Sequence, residues 1–324
     1  MTCNRSVTPH IMNKANSIQH SSLATHSQTD TVLNTYPMTL KQAIYSVNRK
    51  LGQAGINDAS VEAELILCHA VGMSRTQLYT NLGRTLTQAD ANCLCEYIQR
   101  RLNHEPTAYI LNHWEFYGLD FYIDERVLIP RPETELLVEI AIVAASHYSQ
   151  KSLTIADIGT GSGVIAVSLA LELPQALVYA TDISTASLEV AEINCRRHKV
   201  NNQVKVLQGN LLESLPEPMD MIVANLPYIR DQELKRLSPE IVNFEPIIAL
   251  AGGEDGLDKI RSLLEQTPAK IRPGGCLLME MGQEQAQTVT SLISSYFPES
   301  SIETIPDLGD IDRVVKVIFK TCLT

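Results

Sequence analysis

The sequence predicts an α/β protein: a mostly parallel, doubly wound sheet, preceded by a small all-helical domain and joined to it by a β-hairpin. Three observations carry this expectation. From Lys151 onward, apolar runs of strand length alternate with runs of helix length, the pattern of a parallel sheet covered on both faces. Between Met38 and Asn112 apolar residues recur only at helical spacing. Between these regions, residues 114–124 (WEFYGLDFYID) are aromatic and alternating, with Gly118 near the middle, which signals a hairpin.

Residues 1–37 are rich in Ser, Thr, Asn and His and lack a hydrophobic period, so a disordered extension is expected. The amphipathic pattern starts abruptly after Met38, which raises the expectation that Met38 is the true start; intact mass tests it. In the domain expected over 38–112, Leu40, Ala43, Ile44, Val47 and Leu51 mark one helix face, and Gly52 and Gly55 interrupt it. Second and third helices are expected over 61–71 and 86–102. The hairpin joint is drawn over 113–127 and the second domain over 128–324. There, a partly buried helix is expected over 136–145, interrupted in its apolar run by Glu139. Strands follow at 153–158, 177–180, 204–208, 219–224, 275–280 and 314–319, with helices at 164–173, 186–198 and 283–297.

A chain of 324 residues suits two domains. Apolar residues make up 44% and charged residues 19%, as in soluble globular proteins. There is no apolar run of the length a membrane helix needs, and no secretory signal, so no membrane role and a cytoplasmic location are expected. The formal net charge of −11 argues against a grip on nucleic-acid phosphates and for a small-molecule cofactor and a protein partner. The seven cysteines are odd in number and irregular in spacing; Cys93 and Cys95 form a lone C-x-C with nothing to complete a zinc site. Reduced thiols and no metal are expected.

Asp157–Gly163 reads DIGTGSG, between an apolar strand and a helix. Glycines let a backbone turn tightly and approach a ligand, and the carboxyl end of a first strand is where open α/β sheets bind ligands. Gly159, Gly161 and Gly163 alternate, whereas a dinucleotide fingerprint spaces its glycines G-x-G-x-x-G. Asp182 ends the second strand, where a carboxylate can accept both hydroxyls of an adenosine ribose. Together these features point to a nucleoside-containing cofactor. Asn210 and Leu211 follow the third strand and suit the edge and face of an adenine, although a helix cap and a core residue would read the same.

Asn225–Leu226–Pro227–Tyr228 follows the fourth strand and falls at the same end of the sheet. An amide nitrogen is a poor nucleophile because its lone pair is delocalised. Two acceptors holding its two N–H groups position it and favour a pyramidal nitrogen; the Asn225 side-chain oxygen and the Leu226 carbonyl suit that task. The Tyr228 ring can flank the planar amide and its developing positive charge. An activated methyl sulfonium then needs in-line positioning and electrostatic fit rather than a metal or covalent nucleophile.

On six segments the chain resembles the PrmC/HemK family of protein-(glutamine-N(5)) methyltransferases: LIPRPETELLVE (128–139), DIGTGSG (157–163), ATDIS (180–184), IVANLPYI (222–229), ALAGGEDGLD (249–258) and DLGDIDRVV (307–315). They occur in the family's order and span nearly everything after Met38. The resemblance implies a seven-stranded class I methyltransferase sheet, Rossmann-like, and a helical domain that recognises the partner. It implies that Gly159, Thr160, Gly161, Ser162 and Gly163 hold the methionine part of S-adenosyl-L-methionine, with S-adenosyl-L-homocysteine as product. Asp182 would bind the ribose, Leu211 would lie near the adenine, and Asn225, Leu226, Pro227 and Tyr228 would bind a glutamine, with Asn225 also touching the cofactor. Arg131, Glu133 and Thr134, around Pro132 in a first helical turn, would order the pocket entrance. The implied substrate is the glutamine of the Gly-Gly-Gln loop in class 1 peptide chain release factors, met by a monomer. The family's tetrapeptide is usually Asn-Pro-Pro-Tyr; Leu226 departs from it, losing a fixed φ but keeping the carbonyl.

Four other readings stay open at this point. One is a glutamine methyltransferase acting on a ribosomal protein. Another is an adenine-specific DNA methyltransferase, which shares the Asn-x-Pro-aromatic logic but must flip its base. The third is a binding module that has lost activity, and the last is a nicotinamide reductase.

Overall fold

The computed structural model describes residues 37–148 and 153–320. Apart from Pro37, the extension drawn over 1–37 lies outside the described residues, as do Cys3 and Cys322. Met38 is 3% exposed and already packs in a core.

Five helices open the described chain: α1 (Leu40–Gln53), α2 (Ala59–Val71), α3 (Arg75–Thr80), α4 (Gln88–Leu102) and α5 (Thr107–Leu111). Thr39, Ser74 and Thr87 cap α1, α3 and α4 through capping boxes with Gln42, Gln77 and Asp90, each cap contributing about 1 kcal/mol. The faces of α1, α2 and α4 bury Leu40, Val47, Leu51, Ile66, Leu67, Leu94 and Ile98 in a core of their own. Sequence periodicity placed the three long helices; α3 and α5, at 6 and 5 residues, are too short to show one.

The hairpin pairs β1 (Trp114–Phe116) with β2 (Leu119–Phe121). Tyr117 and Gly118, both at positive φ, form the two-residue turn that suits the twist of such strands. Phe116 and Phe121 do not hang between domains. They join the sheet domain's core, together with Ala108 and Tyr109 of α5.

The sheet domain continues with α6 (Glu133–Ala145), β3 (Thr154–Ile158), α7 (Val164–Glu172), β4 (Leu177–Asp182), α8 (Thr185–Arg197), β5 (Val204–Gln208) and β6 (Met219–Ala224). Next come α9 (Asp231–Leu234), α10 (Pro239–Phe244), α11 (Asp258–Gln266), β7 (Ile271–Glu280), α12 (Ala286–Tyr296), β8 (Ser301–Pro306) and β9 (Asp312–Ile318). The sheet has seven strands in the order β5-β4-β3-β6-β7-β9-β8. The five strands from β5 to β7 in that order run parallel; β9 is antiparallel to both neighbours. Successive residues serve opposite faces: Ile155, Met221, Val223 and Leu278 enter one core, Ala156, Ile222, Ala224 and Leu277 the other. The order reverses between β3 and β6, and a crevice opens beyond the carboxyl ends of strands at such a switch. Among the described residues no helix is long and apolar enough to cross a membrane.

Candidate active site

The loop after β3 and the loop after β6 face each other across that switch point. The first is built by Gly159, Gly161 and Gly163, at φ of 71°, 54° and 82°, a region that favours glycine. A Cβ on Gly159 would stand 3.3 Å from the Leu226 side chain, and one on Gly163 would stand 3.2 Å from Ala191 of α8. The loop hangs from β4 by the Gly159 and Thr160 N–H groups, which both donate to the Thr181 carbonyl.

Asp182, at the carboxyl end of β4, accepts the Gly161 N–H on Oδ2 and the Ser184 N–H on Oδ1, both at 2.9 Å. Each oxygen keeps a lone pair for a further donor. Burial raises its pKa, against the backbone N–H groups of Ser184, Gly161 and Ile183. Behind the loop, Asp157 is fully buried. Its Oδ2 accepts from Thr160 Oγ1 at 2.6 Å and from the Ala166 N–H at 3.1 Å, while Oδ1 has no hydrogen-bond partner. Burial pushes this carboxyl up to about 7.

Gly159, Gly161, Asp182, Asn210, Leu211, Asn225, Leu226 and Pro227 all border one cleft. Ile183 and Leu211 give it apolar walls. Leu211 holds φ 56°, and its carbonyl accepts from Thr181 Oγ1. Asn210 is exposed, and its amide bonds Glu213 three residues on.

Thr160, Ser162 and Gly163 do not border the cleft. Thr160 and Ser162 are 4% and 3% exposed and turn inward. Thr160 bonds Asp157, the Ser162 carbonyl accepts from Asn194, and Gly163 lies against Ala191. Their side-chain and backbone contacts shape the loop.

A second cavity adjoins the first and shares Leu128, Asn225, Leu226, Pro227 and Ala249 with it; Arg131, Tyr228, Ile229, Ile241, Leu250 and Glu280 complete its wall. The tetrapeptide thus forms the partition between the two. Asn225 Nδ2 donates to Glu280 Oε2 at 2.9 Å and to Thr134 Oγ1 at 3.0 Å. The Tyr228 hydroxyl donates to Glu280 Oε1 at 3.2 Å. Burial raises the Tyr228 pKa, and the Glu280 charge adds to that.

Three glycines brace the tetrapeptide from behind. The Ile229 N–H donates to the Leu250 carbonyl, and the Gly252 N–H returns to the Ile229 carbonyl. A Cβ on Gly252 would lie 2.8 Å from the Pro227 carbonyl, and one on Gly256 would lie 2.4 Å from that of Tyr228. The Gly282 N–H donates to Gln285 Oε1, whose Nε2 donates to the Tyr228 carbonyl, and a Cβ on Gly282 would lie 3.0 Å from the Tyr228 ring.

The RPET stretch divides. Arg131 lines the second cavity and donates to Glu245 Oε1 at 2.6 Å. Glu133 is exposed at the start of α6 and borders neither cavity. Thr134 is 3% exposed and lies beneath Asn225, not at the entrance, because its position on α6 turns it toward β7. Sequence reasoning passed over Glu280 altogether. Its signal was a carboxylate closing an apolar strand, CLLME, at the same rim as Asp182 and Asn225.

Comparison with known proteins followed the same outline. A family model described as the PrmC N-terminal domain matches residues 42–111, and one described as the methyltransferase small domain matches 134–245. The chain is 42% identical over 277 residues to the release factor glutamine methyltransferase of Moorella thermoacetica, covering 85% of this chain and 97% of that one. It is 38% identical to that of Geobacter sulfurreducens, over 86% and 98%. Among solved structures, the catalytic domain of human Mettl16 in complex with an RNA hairpin overlays with a TM-score of 0.50 at 17% identity, covering 74% of this chain and 86% of that one. That overlay speaks for the fold alone.

Proposed function

The chain belongs to the release factor glutamine methyltransferase family, and from that premise we propose that it methylates the side-chain amide nitrogen of the glutamine in the Gly-Gly-Gln motif of class 1 release factors. One observation carries the assignment of the site: Asn225 and Leu226 stand on the partition between two adjoining cavities, one with a carboxylate and apolar walls, the other beside Tyr228.

The first cavity fits S-adenosylmethionine. Left-handed glycines leave room where a Cβ would intrude, Asp182 presents a carboxylate to ribose hydroxyls, and Ile183 and Leu211 flank a flat base. When bound, that cofactor supplies an electrophilic methyl group on a sulfonium. The second cavity takes the glutamine. Among the described residues no donor bonds the Asn225 side-chain oxygen or the Leu226 carbonyl, so both stand ready to accept the two amide N–H groups. The Tyr228 ring, held by its hydroxyl and its backbone carbonyl, flanks the amide plane and favours the positive charge that develops there, which is discharged when the nitrogen releases one proton to water. Residues 38–112 are proposed as the domain that recognises the release factor, and the monomer in the cytoplasm as the working form.

The test is transfer of labelled methyl from S-adenosylmethionine to a purified class 1 release factor, with its loop glutamine intact or changed to alanine. Label only on the intact loop is the expected result. Label on a ribosomal protein or on DNA instead would overturn the choice of partner.

A further inference from the structure

We propose that Glu280 is a positioning residue for methyl transfer: it fixes which way the Asn225 amide faces, so that oxygen rather than NH2 meets the substrate. The proposal rests on the reading of Asn225 as an acceptor for the substrate amide.

An asparagine amide has two ends of nearly equal shape, and only its hydrogen-bond partners choose between them. Here the partners leave one solution. Glu280, 3% exposed at the end of β7, offers acceptors only when ionised. The Thr134 hydroxyl has one proton and donates it to Glu280 Oε2 at 2.7 Å, so toward Asn225 it too is an acceptor. Both groups under Asn225 therefore demand N–H, and both receive it from Nδ2, at 2.9 and 3.0 Å. The oxygen is left to the cavity. If the carboxylate were absent, the Thr134 proton would be released to donate to the Asn225 oxygen, and the amide could turn its NH2 outward. Two donors, the substrate amide and Asn225, would then meet.

The same carboxylate sets the other wall. Its Oε1 accepts from the Tyr228 hydroxyl, which fixes the ring that flanks the substrate. Three side chains, Thr134 on α6 and Asn225 and Tyr228 in the loop after β6, thus converge on one buried charge at the end of β7. Burial raises the Glu280 pKa, while the Thr134 and Tyr228 hydrogen bonds and the Arg313 charge oppose that rise. No backbone or helix-capping bond uses this carboxylate among the described residues, so its bonds all serve the site.

The experiment compares the natural protein with Glu280→Leu and Glu280→Gln. Leucine removes every acceptor. Glutamine keeps one acceptor but no longer enforces its direction. The expected result with a release factor is a fall in kcat of roughly 100-fold or more for leucine, the scale for losing one oriented polar group in a site, and a smaller fall for glutamine. The Kd for S-adenosylmethionine stays within about threefold of the natural protein, because Gly159 and Asp182, which border that cavity, lie on other elements, while the clash of two donors in the bound state raises the KM for the release factor as well. A second readout needs no substrate: the Asn225 side-chain amide protons, identified by nuclear magnetic resonance through their loss in Asn225→Ala, exchange slowly with water in the natural protein and faster in Glu280→Leu. The proposal is overturned by a folded leucine variant that keeps kcat, or by Asn225 protons in the natural protein that exchange like those of an exposed amide. If leucine prevents folding, the glutamine variant and the exchange measurement decide. If the natural protein transfers no methyl to the release factor yet the Asn225 protons are protected and Glu280-dependent, the substrate reading fails and the orienting role of Glu280 stands.

Discussion

The titration of Asp157 couples stability to pH. Its carboxyl is fully buried, with burial pushing its pKa up to about 7, against an unfolded value near ~3.9. The folded state therefore holds the proton more tightly than the unfolded state. The stabilisation is complete below about pH 4 and is lost as pH rises to about 7, up to roughly 4 kcal/mol over that window. Thermal midpoints measured from pH 4 to 8 should show the loss, and Asp157→Asn should flatten it; an unchanged slope in the variant would sink the account. A second residue departs from its family's spelling. Leu226 is 5% exposed and packs against the glycine loop with its side chain in the core beneath. The carbonyl it offers does not depend on a ring, so Leu226→Pro should leave turnover within about tenfold, since a preformed φ alters loop stability by only about 1 kcal/mol. A gain of several orders would mean that the natural loop is badly formed. At this scale the sequence was informative wherever chemistry sits at a strand end: Gly159, Asp182 and Asn225 follow apolar strands, and their placement at one rim is a consequence of parallel pairing. Glu280 sits at such an end too. Its meaning depends on Thr134 and Asn225, which are far off in sequence and meet it only once the sheet is built.

Elements differed in legibility for a physical reason. Buried parallel strands read as apolar runs, so β3, β4, β5, β6 and the end of β7 were placed. The edge strand β8 (SIETIP) buries nothing fully, mixes Ser, Glu and Thr with isoleucine, and was missed. The first half of β7 carries Pro273 and Gly274, which hid its start at Ile271. Between β6 and β7 the short α9 and α10, with 4 and 6 residues, complete too few turns to reveal a period. The longer α11 buries Ile260, Leu263 and Leu264 and was legible but unread. That segment is where the glycine-rich ALAGGEDGLD run acquires its role, as a brace for the tetrapeptide. Gly256 has φ 80°, and an alanine Cβ there would press to 2.4 Å of the Tyr228 carbonyl. Gly256→Ala should therefore move the tetrapeptide and lower kcat by about tenfold to 100-fold, because displacements near 1 Å carry that cost. Cofactor affinity should hold within about threefold, since Gly159 and Asp182 lie on other elements. Kinetics and calorimetry on one preparation check both; weakened cofactor binding with normal kcat would contradict the brace.

Across the whole molecule, one short helix connects the helical domain to the candidate site. α10 walls the second cavity with Ile241, and Glu245, just past its end, accepts from Arg131 and from the Ile129 N–H. Its other end reaches the helical domain, where Glu240 bonds Arg101 of α4 at 2.7 Å. Arg101, 2% exposed, also holds Glu62 of α2, which in turn accepts from Thr107 at the start of α5. The helical domain is thus tied to the cavity wall through a buried guanidinium, a link no reading of local periodicity could supply. The two ends of this link are not equivalent. Arg101→Ala leaves Glu62 and Glu240 without their shared cation and should destabilise the protein by about 3 kcal/mol, as breaking a buried ion pair does. Glu240 is more open, with 37% of its side chain exposed, and Arg101 keeps Glu62 when it is neutralised. Glu240→Gln should cost less than about 1 kcal/mol and leave cofactor affinity alone. If the helical domain recognises the release factor and α10 transmits its position, the KM for the release factor should rise about threefold to tenfold, the size of one partly exposed charged contact. A free glutamine peptide too small to reach the helical domain should show no such rise. Equal effects on peptide and whole factor would place Glu240 in the pocket wall alone, and no effect on either would mean that the two domains hold their geometry without this pair.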